Sequence, residues 1–144
     1  MPNVFVLIEE DGARKSSTIR ALTGIHNKGD WQVATTTVIM NIYIETRSLQ
    51  EKSIRPQDFI NQFGNKQNIL ISLRINPCKG CPGGVDYINA FVSNGWNISQ
   101  IVILGTNILP GLSQGLPQPF PIPIVPIEPA NQIASRIRTR WGWF

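Results

Sequence analysis

The sequence is poor in the residues that build metal centres and disulfide frameworks. Its 144 residues include two cysteines and one histidine, whereas a structural zinc ion takes four cysteine or histidine ligands. One chain therefore cannot surround a structural zinc ion with these side chains alone. A small fold held together by several disulfides is excluded by the same count.

Long apolar runs are also missing, although 42% of the residues are hydrophobic. No run approaches the roughly 20 residues that a transmembrane helix needs. The opening segment, MPNVFVLIEEDG, has no basic residue before its apolar run and three carboxylates directly after it, which is not the layout of a signal peptide. The sequence predicts a soluble, cytoplasmic protein without a membrane span.

Charge of either sign is sparse, since charged residues make up 15% of the chain and the net charge is +4. Arg136, Arg138 and Arg140 supply three of those positive charges, so the rest of the chain is close to neutral. A basic stripe along the body of the domain, which would track a nucleic-acid backbone, is therefore excluded. Only the C-terminal tail offers such a feature.

Short apolar runs that alternate with helical patterns are what the sequence does contain. Several segments are continuous apolar runs, which are typical of parallel strands buried on both faces. A longer stretch rich in β-branched residues is either one long strand or a hairpin bent near residues 35–37. Between these segments lie others whose apolar residues recur at helical spacing. Units of this kind give right-handed crossovers and a parallel sheet. We expect one α/β domain over residues 1–144 with a mostly parallel central sheet of about five strands. The predicted strands are 3–8, 31–45, 68–75 and 100–104. The predicted helices are 18–25, 48–64 and 84–95, and within 48–64 Pro56 suits a first helical turn.

The last third of the chain has a different character. Six of the eleven prolines lie between residues 106 and 127, and proline can neither continue a helix nor donate a backbone hydrogen bond. We expect an extended, proline-rich segment at 106–129 that forms an edge strand at most. Ile133, Ile137 and Trp141, spaced four apart, predict an amphipathic helix at 130–141.

The motif with the clearest chemical content follows the first predicted strand. In residues 3–24, NVFVLIEEDGARKSSTIRALTG, an apolar strand leads through a turn to Lys and Ser at the start of a helix. This segment resembles the phosphate-binding loop of P-loop NTPases. The resemblance implies a three-layer Rossmann-like or P-loop-like domain that binds ATP or GTP with Mg²⁺. The implied phosphate-binding residues are Gly12, Arg14, Lys15, Ser16, Ser17 and Thr18, with Lys15 on the β- and γ-phosphates and Ser16 on the metal.

The motif departs from the family pattern in ways that bear on catalysis. Glu9 and Arg14 stand where that pattern has glycine. The family also has a Mg²⁺-binding carboxylate at the end of another strand, and Glu45 is the nearest candidate for it here. We therefore expect a nucleotide- or phosphate-binding accessory or regulatory domain with weak or no hydrolysis. The plain alternative is a capped strand-to-helix turn whose lysine is solvated.

Two further features carry alternative functions. The tail RIRTRWGWF interleaves arginine with tryptophan, which suits a protein or nucleic-acid partner; its plain alternative is a helix docked on the sheet. Cys78 and Cys81 form a C-x-x-C pair in a Pro/Gly-rich loop. We favour a structural loop pair over a zinc site shared across an oligomer or a redox pair.

Overall fold

One six-stranded sheet and four helices make up the described part of the chain in the computed structural model. This part covers residues 1–9, 15–24, 27–123 and 130–143, with the backbone alone for residues 15–17. The elements are, in chain order, β1 Asn3–Glu9, α1 Lys15–Thr23, β2 Gly29–Ala34, β3 Ile39–Ile44, α2 Pro56–Phe63, β4 Asn68–Arg74, α3 Gly84–Ser93, β5 Asn97–Leu104, β6 Phe120–Ile122 and α4 Ala130–Trp141.

The strand order is β2-β3-β4-β1-β5-β6, and all neighbours are parallel except the antiparallel pair β2 and β3. The predicted α/β class with a mostly parallel sheet is confirmed. The sheet has six strands rather than about five because residues 31–45 form a hairpin, the second of the two readings. Its turn is closed by the hydroxyl of Thr35, which accepts a hydrogen bond from the amide of Val38 at 3.0 Å.

Two hydrophobic cores lie on opposite faces of the sheet. On one face α2 and α3 cover alternate residues of β1, β4 and β5, and on the other face α1 and α4 cover the intervening residues. In β1, Val4, Val6 and Ile8 belong to the first core and Leu7 belongs to the second. This alternation, with both faces buried, is why the central strands are continuously apolar in sequence.

Helix α2 is shorter than the sequence predicts. The sequence predicts a helix over residues 48–64, but only Pro56–Phe63 is helical in the structure. Pro56 occupies the first turn, where its missing amide proton costs nothing, and Ser53 takes a left-handed φ of 56° before it. Residues upstream of the proline therefore form turns, and they bring polar side chains to the edge of the sheet.

The proline-rich region contributes one short strand, β6, at the sheet edge next to β5. Residues 124–129 of that region lie outside the described residues. Helix α4 spans the same residues as the predicted amphipathic helix and buries Ile133, Ala134 and Ile137. Among the helices that the structure describes, none has the length and apolar character needed to cross a bilayer.

A close contact between α3 and the sheet leads to a stability prediction for Gly84→Ala. A Cβ atom at Gly84 would clash with Cδ1 of Ile8 and stand 2.8 Å from the carbonyl oxygen of Arg74. We expect a loss of about 1–3 kcal/mol in the free energy of unfolding, because α3 must move away from β1 and β4. Urea denaturation measures this loss. Ser93→Ala, at the exposed end of the same helix, is the control and should stay within about 0.5 kcal/mol of the parent; an equal effect of both substitutions would contradict the packing.

Candidate functional site

The carboxyl ends of the parallel strands meet at one edge of the sheet, with β1 in its centre. After β1 the chain enters α1 on one face, and after β4 it enters α3 on the opposite face. Neighbouring parallel strands whose connections leave toward opposite faces define a topological switch point, where open α/β sheets bind their ligands. The ends of β1 and β4, at Glu9 and Arg74, therefore mark the candidate site.

Helix α1 starts beside this point, because Lys15 opens the helix six positions after β1 ends at Glu9. Gly12 and Arg14 lie outside the described residues, and Lys15, Ser16 and Ser17 are described by their backbone only. The Thr18 side chain is fully buried, and its hydroxyl makes no hydrogen bond with the residues that the structure describes. The free amides of a helix's first turn and its dipole favour an anion at this end.

Glu9 and Arg74 are register partners on adjacent strands. Because strand side chains alternate between faces, Glu9 shares the face of Leu7, which is the α1 side of the sheet, and its side chain is fully buried. A carboxylate therefore stands on the same face of the sheet as α1, at the end of the strand that leads into that helix.

The end of β4 is fixed by one buried amide. The side chain of Gln50 accepts a hydrogen bond from the Arg74 amide at 3.0 Å and donates to the Arg74 carbonyl at 2.8 Å. The same Nε2 donates to the carbonyl of Pro82 at 3.3 Å. Gln50 thus joins the end of β4 to the loop that precedes α3. These hydrogen bonds hold the switch point in place, although Gln50 itself lies in neither a helix nor a strand.

Glu45, the candidate carboxylate ligand of Mg²⁺, lies at the end of β3 and is almost completely buried. Its Oε2 accepts a hydrogen bond from the Tyr43 hydroxyl at 2.9 Å, and its Oε1 forms an ion pair with the Nζ of Lys52. Burial, followed by the charge of Glu45, raises the pKa of Tyr43 above its ordinary value. Both carboxylate oxygens therefore have protein partners, and β4 separates this strand from β1.

Cys78 and Cys81 flank a tight turn after β4, called here the cysteine turn (residues 78–81). Each cysteine donates its amide to the carbonyl of the other, at 3.1 and 2.9 Å. Lys79 and Gly80 between them have left-handed φ angles of 50° and 76°, as a type I′ turn requires. Both thiols are free. In the described part of the chain no group of three or more metal-ligating residues contains this pair.

The Arg/Trp tail is packed against the body of the domain. Trp143 is 5% exposed, and its ring lies 5.1 Å from that of Phe5. Arg138 donates to the carbonyls of Ala21 and Leu22 at the end of α1, whereas Arg140 is exposed and stands over the ring of Phe120 at 4.9 Å. The docked arrangement buries Trp143 and half-buries Trp141, whereas a partner for the tail stays a hypothesis.

A separate cleft of about 670 Å³ opens at the other end of the sheet, between the β2–β3 hairpin and the start of β4. Its walls include Trp31, Asn41 and Asn68, and Lys66 crosses it to pair with Asp30 at 3.0 Å. This cleft lies at the amino end of β4, far along the strand from the switch point. Its polar groups are already paired across it, as in the bond from Asn68 Nδ2 to the Asn41 carbonyl at 2.9 Å.

Sequence reasoning did not single out Gln50 or Lys52. Both fall in the stretch that was predicted as the first half of a long helix, where a polar side chain is expected to face solvent. The usable signal was the pair of opposite charges, Glu45 and Lys52, on either side of Leu49. The prediction that Pro56 suits a first helical turn is confirmed, and a helix that begins there leaves the preceding interval free to turn back on the sheet.

Comparison of the chain with protein-family models, with curated proteins and with solved structures finds no match. The resemblance to P-loop NTPases is neither supported nor refuted by a relative.

Proposed function

We propose that this chain binds a phosphate-bearing ligand, with ATP and GTP as the first candidates, at the amino end of α1. The observation that carries the proposal is the position of that helix: it begins just after the central strand, at the point where the connections of β1 and β4 diverge. The lysine and hydroxyl residues of the sequence motif, Lys15 to Thr18, form its first turn. The buried, unbonded hydroxyl of Thr18 is a polar group that a ligand or a water molecule would satisfy.

A bound Mg²⁺ is part of the proposal, since the resemblance implies it and Mg²⁺ prefers carboxylate and phosphate oxygens as ligands. The amides of the first turn of α1 attract a negative charge. Ser16 would serve as the hydroxyl ligand of the metal ion that the resemblance implies.

Weak or absent hydrolysis is part of the proposal. Efficient phosphoryl transfer needs groups that orient water and neutralise the developing charge. Glu45 is the candidate carboxylate ligand of Mg²⁺, but one of its oxygens accepts a hydrogen bond from Tyr43 and the other pairs with Lys52. This engagement favours an accessory or regulatory domain that binds its ligand without rapid turnover.

Thermal denaturation with ATP, GTP and pyrophosphate, each with and without Mg²⁺, tests the proposal. A ligand at 100 times its dissociation constant stabilises the folded state by about 2.7 kcal/mol, which raises the Tm of a domain of this size by roughly 9 °C. We expect such a shift with at least one of the three ligands in the presence of Mg²⁺. Lys15→Ala should remove it.

The matched control is Lys28→Ala, since Lys28 is an exposed lysine outside the first turn of α1. This variant should keep the full ligand-induced shift. The proposal fails when no phosphate ligand raises the Tm, or when both lysine variants respond like the parent protein. A shift with rapid release of inorganic phosphate would support binding and contradict the regulatory role.

A further inference from the structure

The two thiols of the cysteine turn have no role in the proposed phosphate site. Because each cysteine donates its amide to the carbonyl of the other, the two residues form a hydrogen-bonded antiparallel pair, which sets their Cα atoms about 5.5 Å apart. Disulfides span roughly 4.4–6.8 Å between Cα atoms. The Cα separation of Cys78 and Cys81 therefore lies within the range that a disulfide spans.

The turn also places both cysteine side chains on the same side of the two short strands. Residues directly opposite in an antiparallel pair point to the same side of the ladder. The left-handed φ angles of Lys79 and Gly80 hold the two-residue connection in its tight form. Lys79 is further tied down through its Nζ, which donates to the carbonyl of Glu51 at 3.2 Å.

The two thiols differ in access. Cys81 is 3% exposed and belongs to the core under α3, whereas Cys78 is half-buried. Both cysteines line a cavity of about 640 Å³ together with Arg55 and Lys79. Cys78 is the more exposed of the two, so its sulfur is the one that a molecule from solution meets first.

Cationic groups surround the accessible sulfur. The Nη1 of Arg74 donates a hydrogen bond to the Sγ of Cys78 at 3.1 Å. Thiolate sulfur is the nucleophile in disulfide exchange, and the Arg74 hydrogen bond holds the Cys78 sulfur in place. Arg55 and Lys79 add positive charge to the same cavity, which suits an oxidant that carries carboxylates.

We propose that Cys78 and Cys81 are a redox-active dithiol that exchanges with a small acidic disulfide. Cys78 loses its proton to water and its sulfur bonds to one sulfur of the oxidant, whose S–S bond breaks to release one thiolate. Cys81 then loses its proton and bonds to the Sγ of Cys78, which expels the second thiolate. Two electrons pass from the protein dithiol to the oxidant's disulfide, and the two released thiolates take up the two protons.

Incubation of the full chain with oxidised glutathione, followed by acid quenching and mass spectrometry, tests this order of events. The parent protein should pass through a transient glutathione adduct on Cys78 and end as an intramolecular disulfide without adduct. Cys81→Ser should stop at the adduct on Cys78. Cys78→Ser should react about 10-fold more slowly or not at all, because its remaining thiol is buried.

Arg74→Gln should slow formation of the adduct several-fold, whereas Arg47→Gln, which removes an exposed arginine, should not. Adduct mapping on the parent protein keeps the test decisive if a variant fails to fold. The proposal is overturned if the first adduct forms on Cys81, if the parent protein stays reduced, or if the thiols purify with bound zinc and react only after chelation. None of these outcomes depends on whether the chain binds phosphate.

Discussion

Lys52→Met should lower the free energy of unfolding by about 3 kcal/mol, because it leaves the carboxylate of Glu45 buried without its cation. Glu45 is 1% exposed and Lys52 19% exposed, so water cannot replace the ammonium group on the carboxylate side. Among the described residues, the Tyr43 hydroxyl would remain as the side-chain donor to Glu45. Urea denaturation at neutral pH measures the loss.

The matched variant is the double substitution Glu45→Gln with Lys52→Met. Removal of both charges should recover most of the lost stability, since a neutral amide is far cheaper to bury than an unpaired carboxylate. A single-variant cost below about 0.5 kcal/mol would show that the pair behaves as a surface salt bridge. In that case the assignment of Glu45 to a structural role would be wrong, and its availability to a metal ion would need to be reconsidered.

The fold should lose stability steeply at alkaline pH because of its two tyrosines, Tyr43 and Tyr87. Burial is the first cause that raises the pKa of each phenol, followed by the charge of Glu45 for Tyr43 and by a hydrogen bond with Cys81 for Tyr87. A raised pKa in the folded state favours the protonated phenol. The stabilisation is therefore complete below the unfolded-state pKa of about 10 and is lost as the pH rises toward the folded-state value.

Each phenol contributes a slope of at most about 1.4 kcal/mol per pH unit above pH 10. Urea denaturation between pH 9 and pH 11 measures the combined slope, and the near-ultraviolet absorbance of phenolate reports ionisation directly. Tyr43→Phe and Tyr87→Phe should each flatten the pH dependence by one phenol's share. Ionisation of both phenols near pH 10 in the folded protein would contradict their burial.

The core strands could be predicted from the sequence because their environment is uniform. β1 and β4 are buried on both faces, and a continuous apolar run records that directly. The interval of residues 31–45 was ambiguous because a β-branched run fits one long strand and a hairpin equally well. The choice depends on the turn at Thr35, whose side-chain hydrogen bonds are local and leave no periodic signal.

The candidate site was harder to predict than the strands, because its residues are brought together by the register between strands that are distant in sequence. That Glu9 and Arg74 are partners follows from the alignment of two strands 65 positions apart, and no local pattern encodes it. Gln50 acts through three backbone contacts from an irregular segment. The motif at Lys15 and Ser16 was visible because strand, turn and helix follow one another in sequence.

A titration of the isotope-labelled protein with magnesium pyrophosphate, followed through its backbone amide NMR signals, tests most directly whether α1 receives a phosphate. We expect the largest shifts at the amides of residues 15–18, saturation with increasing ligand, and loss of the response in Lys15→Ala. Shifts confined to the cleft beside Trp31 and Lys66, or no saturable shift at the start of α1, would contradict phosphate binding at the end of β1.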